Sequence, residues 1–427
     1  MSYRVGGIDV HKKMLAVVVA DVDVEEDYEF EQRKFGTTAA ELNKLVEWLV
    51  EREVEELVME STAQYWRPVW GALEQHWKPT RTEREGAGST SGQLHLCQAK
   101  SNQARRGRKD DFGDAKRLVK RLKAQELTLS FVPDEEQRLW RTVTRRRYQL
   151  SRHRVRFQGQ LESLLEQGHL KLSSVVSDLL GVSGRRILTA IADGETDPAV
   201  LSAMGDCNLK ASPAQLEDAL AASRRLNEVF RQLLKMALQE LALVDSQLKQ
   251  LDQAAMQLMQ EHQEVIHRMA EVPGLGAVSA MQIIAEVGPA AAAFRSAKAL
   301  CSWVGVCPGN EESGGESKSS RSPKGNRHVR RLLNQAAQNA VKVKGSVFQI
   351  TFQRLMPRLG YKKAIWAIAH RLCRLIWVLL HKRVRYEERG PAVSAKSKRR
   401  RAAKMIRELT KLGYRVEGGP VQVGISA

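Results

Sequence analysis

"YRVGGIDVHKKMLAVVVADV" runs from Tyr3 to Val22. Two apolar, β-branched runs flank the polar stretch His11-Lys12-Lys13, which predicts two strands joined as a hairpin. The first run carries an acid near its end, Asp9 in "GIDVHK". Outward from the hairpin the pattern stays α/β. "YEFEQRKFG" reads as a third strand. "TTAAELNKLVEWLVER" reads as a helix with a threonine cap and leucines at 42, 45 and 49. "EVEELVME" predicts a fourth strand ending on Glu60, followed by a helix through Trp70 and Leu73. After a Gly/Ser loop at 85–92, "QLHLCQAKSNQ" predicts a last strand. "DDFGDAKRLVKRLKAQ" then predicts a helix with acids in its first turn, where they suit the helix dipole.

If the first and fourth strands are neighbours, Asp9 and Glu60 converge with Asp111 and Asp114, which stand three apart on one helical face. Four carboxylates in one place cannot all stay ionised without a cation. Hard oxygen ligands suit Mg²⁺ or Mn²⁺, and such ions organise phosphoryl transfer. Each acid alone also reads as a turn former or a helix cap. Asp110 adjoins Asp111, so residue chemistry leaves the register of the close pair open.

The rest of the chain points to a polyanion. Net charge is +19 over 427 residues, and the charge is clustered, as phosphate contacts require. "RTVTRRRYQLSRHRVR" at 141–156 holds seven arginines and no acid. Arg141, Arg145, Arg152 and Arg156 share one face, a candidate nucleic-acid contact or else a solvated basic face. A basic tail follows Lys382, with "KSKRRR" at 396–401. Aromatic residues make up only 6%, and the Leu-, Gln-, Lys- and Arg-rich stretches after residue 134 predict long helices. Leu234, Leu241, Leu248 and Ala255 form one seven-residue series. Phe230, Ala237, Val244, Leu251, Leu258 and Val265 form a second, which predicts a coiled coil within or between chains.

Residues 267–380 read as a compact helical domain. "VPGLG" precedes a helix there, as a tight turn or as a phosphate-binding helix start. The five cysteines lack C-x-x-C spacing and read as reduced thiols; Cys301, Cys307 and His328 have no second ligand pair for zinc. The N-terminus has no secretory h-region, and "AIWAIAHRLCRLIWVLL" is too short and charged to span a bilayer, so no membrane partner is expected. "EESGGESKSSRSPKGNRHVRRLL" from Glu311 to Leu333 sets five serines beside dense positive charge. Ser313 is followed directly by two glycines, which permit close approach of a DNA backbone. Lys324, Arg327, Arg330 and Arg331 are candidate phosphate clamps.

"GIDVHK", "MESTAQYW", "KDDFGDA", "VPGLGAVSA" and "WVGVCPGNEESGGESKSS" with "KGNRHVRRLL" occur in that order. Together they resemble the DEDD-type insertion-sequence transposases, a family that includes Piv-like DNA invertases and bridge-RNA-guided recombinases. The resemblance covers roughly residues 4–380. It implies a RuvC-like (RNase H-like) α/β domain at 1–130 and a helical, coiled-coil linker with dimerisation at 131–266. A helical transposase domain at 267–385 and a basic tail at 386–427 would follow. The implied acidic tetrad is Asp9, Glu60, Asp111 and Asp114, holding Mg²⁺ or Mn²⁺. The implied nucleophile is Ser313, which would form a covalent phosphoserine with DNA. In this family the residue before the close Asp pair is often Thr, where this chain has Asp110. The implied partners are donor and target double-stranded DNA, a structured non-coding guide RNA, and further copies of the chain as a dimer or tetramer. The expected location is the bacterial cytoplasm, at the nucleoid when active. A metal-dependent nuclease or junction resolvase, a site-specific invertase and a nucleic-acid-packaging protein are the competing readings.

Overall fold

The computed structural model describes residues 3–22, 28–60, 63–78, 93–102, 110–206, 209–309, 311–313, 316–319 and 321–388, with 403, 406 and 407. The loop at 85–92, Gly314 and Gly315, and "KSKRRR" lie outside the described residues. The chain divides into two compact units, Met1–Glu136 and Gln137–Ala427.

The first unit is built on the hairpin. β1 (Arg4–Val10) and β2 (Met14–Asp21) pair antiparallel, and β3 (Glu31–Gly36) continues the meander. Helix α1 (Ala39–Glu51) crosses to β4 (Val54–Glu60), which lies parallel to β1. Helix α2 (Trp66–His76) leads on to β5 (Leu94–Cys97), parallel to β4. Helix α3 (Asp111–Lys123) and the short β6 (Leu129–Ser130) complete it, giving the sheet order β3-β2-β1-β4-β5-β6. This mixed sheet fits the RuvC-like domain expected from the sequence. The sequence reading missed β6, a two-residue strand too short to carry a pattern, and ran the last strand through what is a 3-10 turn at Ala99–Asn102.

Strand alternation assigns the two faces. Ile8, Val10, Leu57 and Met59 pack with Leu45, Leu49, Val69 and Leu73 of α1 and α2. Val5, Val18 and Ala20 pack with Ala115 and Val119 of α3, and Val58 packs with Leu118. Both faces are therefore covered, and β2 is buried without interruption from Leu15 to Ala20. Gly7 lets α3 come against β1: a Cβ there would lie 2.5 Å from the Ala115 carbonyl oxygen. By the same alternation, Asp9 and Glu60 fall on the face that α3 covers.

The second unit is mostly helical. The long α4 (Glu135–Gln167) leads into α5 (Leu172–Val175), α6 (Val182–Ala192), α7 (Pro198–Ala203) and α8 (Pro213–Leu220). Then come α9 (Glu228–Leu258), α10 (Gln263–Ala270), α11 (Ala277–Val287) and α12 (Ala297–Val304). A small hairpin, β7 (Glu311–Ser313) and β8 (Glu316–Ser319), precedes α13 (Arg327–Ala340) and α14 (Val347–His381).

The heptad seam of α9 is covered within the chain. Leu234 and Leu241 pack with Leu161, Leu165, Ile187 and Leu188, and Ala255 packs with Trp140 and Met259. Charges one heptad apart tie α9 antiparallel to α4: Arg147 pairs with Asp252, and Arg154 with Asp245 at 2.7 Å. The short helices α5–α8 thus cover part of this seam within the chain, one of the two pairings the sequence left open.

By length and composition α14 is apolar enough to cross a membrane, contrary to the reading of its second half alone. Pro357 and a non-helical Gly360 interrupt it, and Ile365, Ile368, Leu372 and Ile376 lie in the domain core. The "VPGLG" turn has a packing role. Gly274 has φ +85°, and a Cβ there would lie 2.3 Å from the Ala336 carbonyl oxygen of α13.

Candidate active site

The acidic residues meet in the first unit. Asp9 and Glu60 are register partners on parallel neighbours, β1 and β4, at the same end of the sheet. Asp111 and Asp114 stand in the first turn of α3. Asp110 proves to be the N-cap: its carboxylate accepts from the Gly113 N–H at 3.1 Å. The Asp110 carboxylate thus faces its own helix start, while Asp111 lies within reach of His11.

Two residues that sequence reasoning passed over complete the cluster. His11 Nε2 lies 3.0 Å from Asp9 Oδ2 and 3.5 Å from Asp111 Oδ1. The buried Asn102 donates its amide N–H to Glu60. Arg117 pairs with Asp114 and donates to the Asn102 carbonyl oxygen at 3.1 Å. His11 stood in plain view in "GIDVHK", two residues from Asp9. Asn102 had no local signal, since it sits in a 3-10 turn after β5.

Burial raises the Asp9 carboxyl above its ordinary value; His11 opposes this, and Asp114 and Asp111 add to it. Burial likewise raises Glu60, with the Asn102 hydrogen bond opposing and Asp9 and Asp114 adding. The donor set fits a hard divalent cation. It offers carboxylate oxygens that repel one another, and Asn102 Oδ1 is buried beside Glu60 without a hydrogen-bond partner. Asp9, His11 and Asp111 can each place a ligand atom within 4.8 Å of the others.

Ser313 belongs to the second unit. It ends β7 and is register partner to Glu316 in β8. The base of this hairpin is tied to the end of α12. Gly305, at φ +77°, lies so close to the returning chain that a Cβ would meet the Pro323 carbonyl oxygen at 2.6 Å. Arg330 Nη1 donates to the carbonyl oxygens of Gly305 at 2.7 Å and Pro323 at 2.8 Å, and its guanidinium stacks over Trp366. Arg331 lies over Tyr148 and donates to Gln282. Lys324 and Arg327 are exposed. Of the four expected clamps, two therefore hold the fold and two face solvent.

The arginines of α4 divide in the same way. Arg145 donates to both oxygens of Glu286, at 2.7 and 2.9 Å. Arg141 is buried, lies 3.6 Å from the same carboxylate and donates to the carbonyl oxygens of Ala285 and Glu286. Asn326 donates to Glu286 at 2.8 Å, and its own carbonyl oxygen caps α13 at the His328 and Val329 N–H groups. Burial alone would raise Glu286, but Arg145, Arg141 and Asn326 together hold it below the usual carboxylate range. Arginines this dense repel one another unless acids neutralise them. The carboxylates of Glu286, Asp252 and Asp245 do this, so Arg141 and Arg145 stabilise the interior, whereas Arg152 and Arg156 remain exposed. His328 lies near Glu286, not in a zinc set.

Comparison with known proteins gives the family. Residues 6–170 match the DEDD transposases of IS110 elements. Residues 266–353 match the transposase IS116/IS110/IS902 family. A curated relative, a probable family 20 transposase of Pseudomonas aeruginosa, is 28% identical over 125 residues. That alignment spans 28% of this chain and 37% of the relative. The first match contains all four acids, the second contains Ser313, and both lie in the order the motifs require. The chain belongs to the IS110 family of DEDD transposases.

Proposed function

We propose that this chain is an RNA-guided DNA recombinase or transposase of a mobile insertion sequence. The observation that carries the reading is the pairing of Asp9 with Glu60 on adjacent parallel strands, beneath the helix that brings Asp111. Asp9, Glu60, Asp111 and Asp114 would hold Mg²⁺ or Mn²⁺, which would supply charge neutralisation at a phosphodiester. Lys34, at 3.7 Å from Asp111, and Arg117 bring positive charge to the carboxylates.

In this reading Ser313 is the nucleophile. Its oxygen attacks phosphorus, one P–O bond to deoxyribose breaks, and the released sugar hydroxyl takes up a proton while the serine hydroxyl loses one. A sugar hydroxyl of another strand then attacks the phosphoserine and restores the serine. One phosphodiester is exchanged for another, so no nucleotide hydrolysis is needed, in keeping with a chain that lacks a G-x-x-x-x-G-K-[ST] loop. The family register supports Ser313. The exposed Arg152, Arg156, Lys324 and Arg327 supply the backbone contacts. Base pairing by a guide RNA would supply sequence choice, leaving the protein to read shape and phosphate, and donor and target DNA would be held by a dimer or tetramer at the bacterial nucleoid.

The test is covalent trapping on end-labelled DNA carrying the element's own junctions, with and without its RNA. The expected result is a protein–DNA adduct that Ser313→Ala and Asp9→Ala each abolish. Strand cleavage that survives Ser313→Ala but not Asp9→Ala would replace this reading with a metal-dependent nuclease.

A further inference from the structure

His11 stands where a fifth ligand would stand. The turn between β1 and β2, closed by the His11 N–H on the Met14 carbonyl oxygen at 3.0 Å, brings its ring back over the end of β1. Nε2 then lies 3.0 Å from Asp9 Oδ2 and 3.5 Å from Asp111 Oδ1. A cation with bonds of about 2.1 Å sets neighbouring donors about 3.0 Å apart in octahedral geometry and about 3.4 Å apart in tetrahedral geometry. The two His11 spacings span those values. Both His11 separations therefore match neighbouring positions of a coordination shell, with the Asp9 and Asp111 ligand atoms within 4.8 Å of each other and the imidazole half-exposed. Lys34, the other cationic group facing Asp111, has no lone pair and can only neutralise charge.

We propose that His11 ligates the cation through Nε2, making this a mixed nitrogen–oxygen site that favours Mn²⁺ over Mg²⁺. The inference rests on the acidic residues forming a metal site at all. An imidazole donor is a poor match for Mg²⁺, which prefers oxygen and gives up water reluctantly, whereas divalent first-row transition ions accept nitrogen readily. Asp9, Glu60 and Asp111 without His11 would form an all-oxygen site with no such preference. An imidazole whose proton sits on Nδ1 presents its Nε2 lone pair to the ion, so the ring can ligate without leaving its place.

The experiment measures Mn²⁺ and Mg²⁺ binding to the full chain by calorimetry, for wild type, His11→Ala, His11→Gln and Asp9→Asn. Pulsed electron paramagnetic resonance of the Mn²⁺-loaded proteins reads nitrogen coupling directly. Thermal melts check that each variant folds, and the glutamine variant stands in if alanine does not. The expected result is a ¹⁴N coupling in wild type that both His11 variants lose. The ratio of Mn²⁺ to Mg²⁺ affinity should fall about tenfold with it, the lower end of what losing a metal-site partner costs. Saturable Mn²⁺ binding that Asp9→Asn removes, with no ¹⁴N coupling in wild type, would overturn the inference while leaving the acidic site intact. Mn²⁺ binding that Asp9→Asn leaves unchanged would overturn the acidic site, and the inference with it.

Discussion

Each unit of this protein buries carboxylate charge, and the two solve the problem in opposite ways. Glu286 in the second unit is almost wholly inaccessible, yet Arg145, Arg141 and Asn326 hold its carboxyl below the ordinary range. Asp9 and Glu60 in the first unit are less deeply buried, yet their carboxyls are raised, because burial, with neighbouring acids adding to it, outweighs His11 at Asp9 and the Asn102 hydrogen bond at Glu60. A carboxylate completed by its own chain is a structural member. Carboxylates that the chain leaves crowded are poised for a cation from outside. The difference teaches that burial alone does not mark a site; incomplete neutralisation does.

The contrast fails if removing Glu286 is harmless. Glu286→Ala should cost about 3–5 kcal/mol, since it takes the carboxylate from the buried Arg141 and the half-buried Arg145, and urea denaturation of the full chain reads this. The pH dependence has a definite sign. The Glu286 contribution is fully present above the unfolded value near 4.5 and is lost as pH falls through the lower folded value. The stability gap between wild type and Glu286→Gln should therefore hold steady at neutral pH and narrow only in acid.

Gly7→Ala tests how the acidic site is assembled. The added Cβ would meet the Ala115 carbonyl oxygen at 2.5 Å, so α3 must move off β1. We expect a loss of about 1–3 kcal/mol, the usual cost of overpacking, together with weaker Mn²⁺ binding measured by calorimetry. Stability lost without any change in metal binding would show that α3 does not set the positions of Asp111 and Asp114.

Asp9→Asn gives the opposite sign to Glu286→Ala. Without metal, the variant should melt at or above the wild-type temperature at pH 7, a gain of at most about 1 kcal/mol, because a raised carboxyl is costly to ionise in the fold. That advantage should vanish as pH falls and the wild-type acid takes up its proton. Added Mn²⁺ should raise the melting temperature of wild type only.

The smallest effects separate the arginines of α4. Arg152→Ala and Arg156→Ala should each lower the slope of log affinity against log salt by about 1 in DNA-binding titrations, and leave stability unchanged. Arg141→Ala should do the reverse.

The α/β unit was legible because alternation and apolar runs are local. Five strands and three helices there follow from residues that lie next to one another, and even β1's acid could be placed at a strand end. The four acids could be named for the same reason, each standing at the end or start of a regular element. Asn102 and Glu286 could not. Asn102 sits in an irregular turn, and Glu286 looks like an ordinary polar residue within an apolar helix until α4 and α13 are packed around it. The arginine run reads as a nucleic-acid contact or a solvated basic face, and its own stretch of sequence holds no neutralising group. That group lies partly in residues more than a hundred positions away, Asp252 and Glu286.

The sequence by itself determined the frame: the hairpin, the order of strands and helices, the acids at their ends, the excess of positive charge and the family. These depend on periodicity, caps and charge, which act over a few residues. Only the tertiary structure decided which charges are already partnered. It put Asp9 beside Glu60 and His11 between Asp9 and Asp111, and folded Arg141 and Arg145 inward on Glu286. The physical reason is that a charge's role depends on what lies within a few ångströms in space, and a linear pattern leaves that unspecified until the helices and strands have packed.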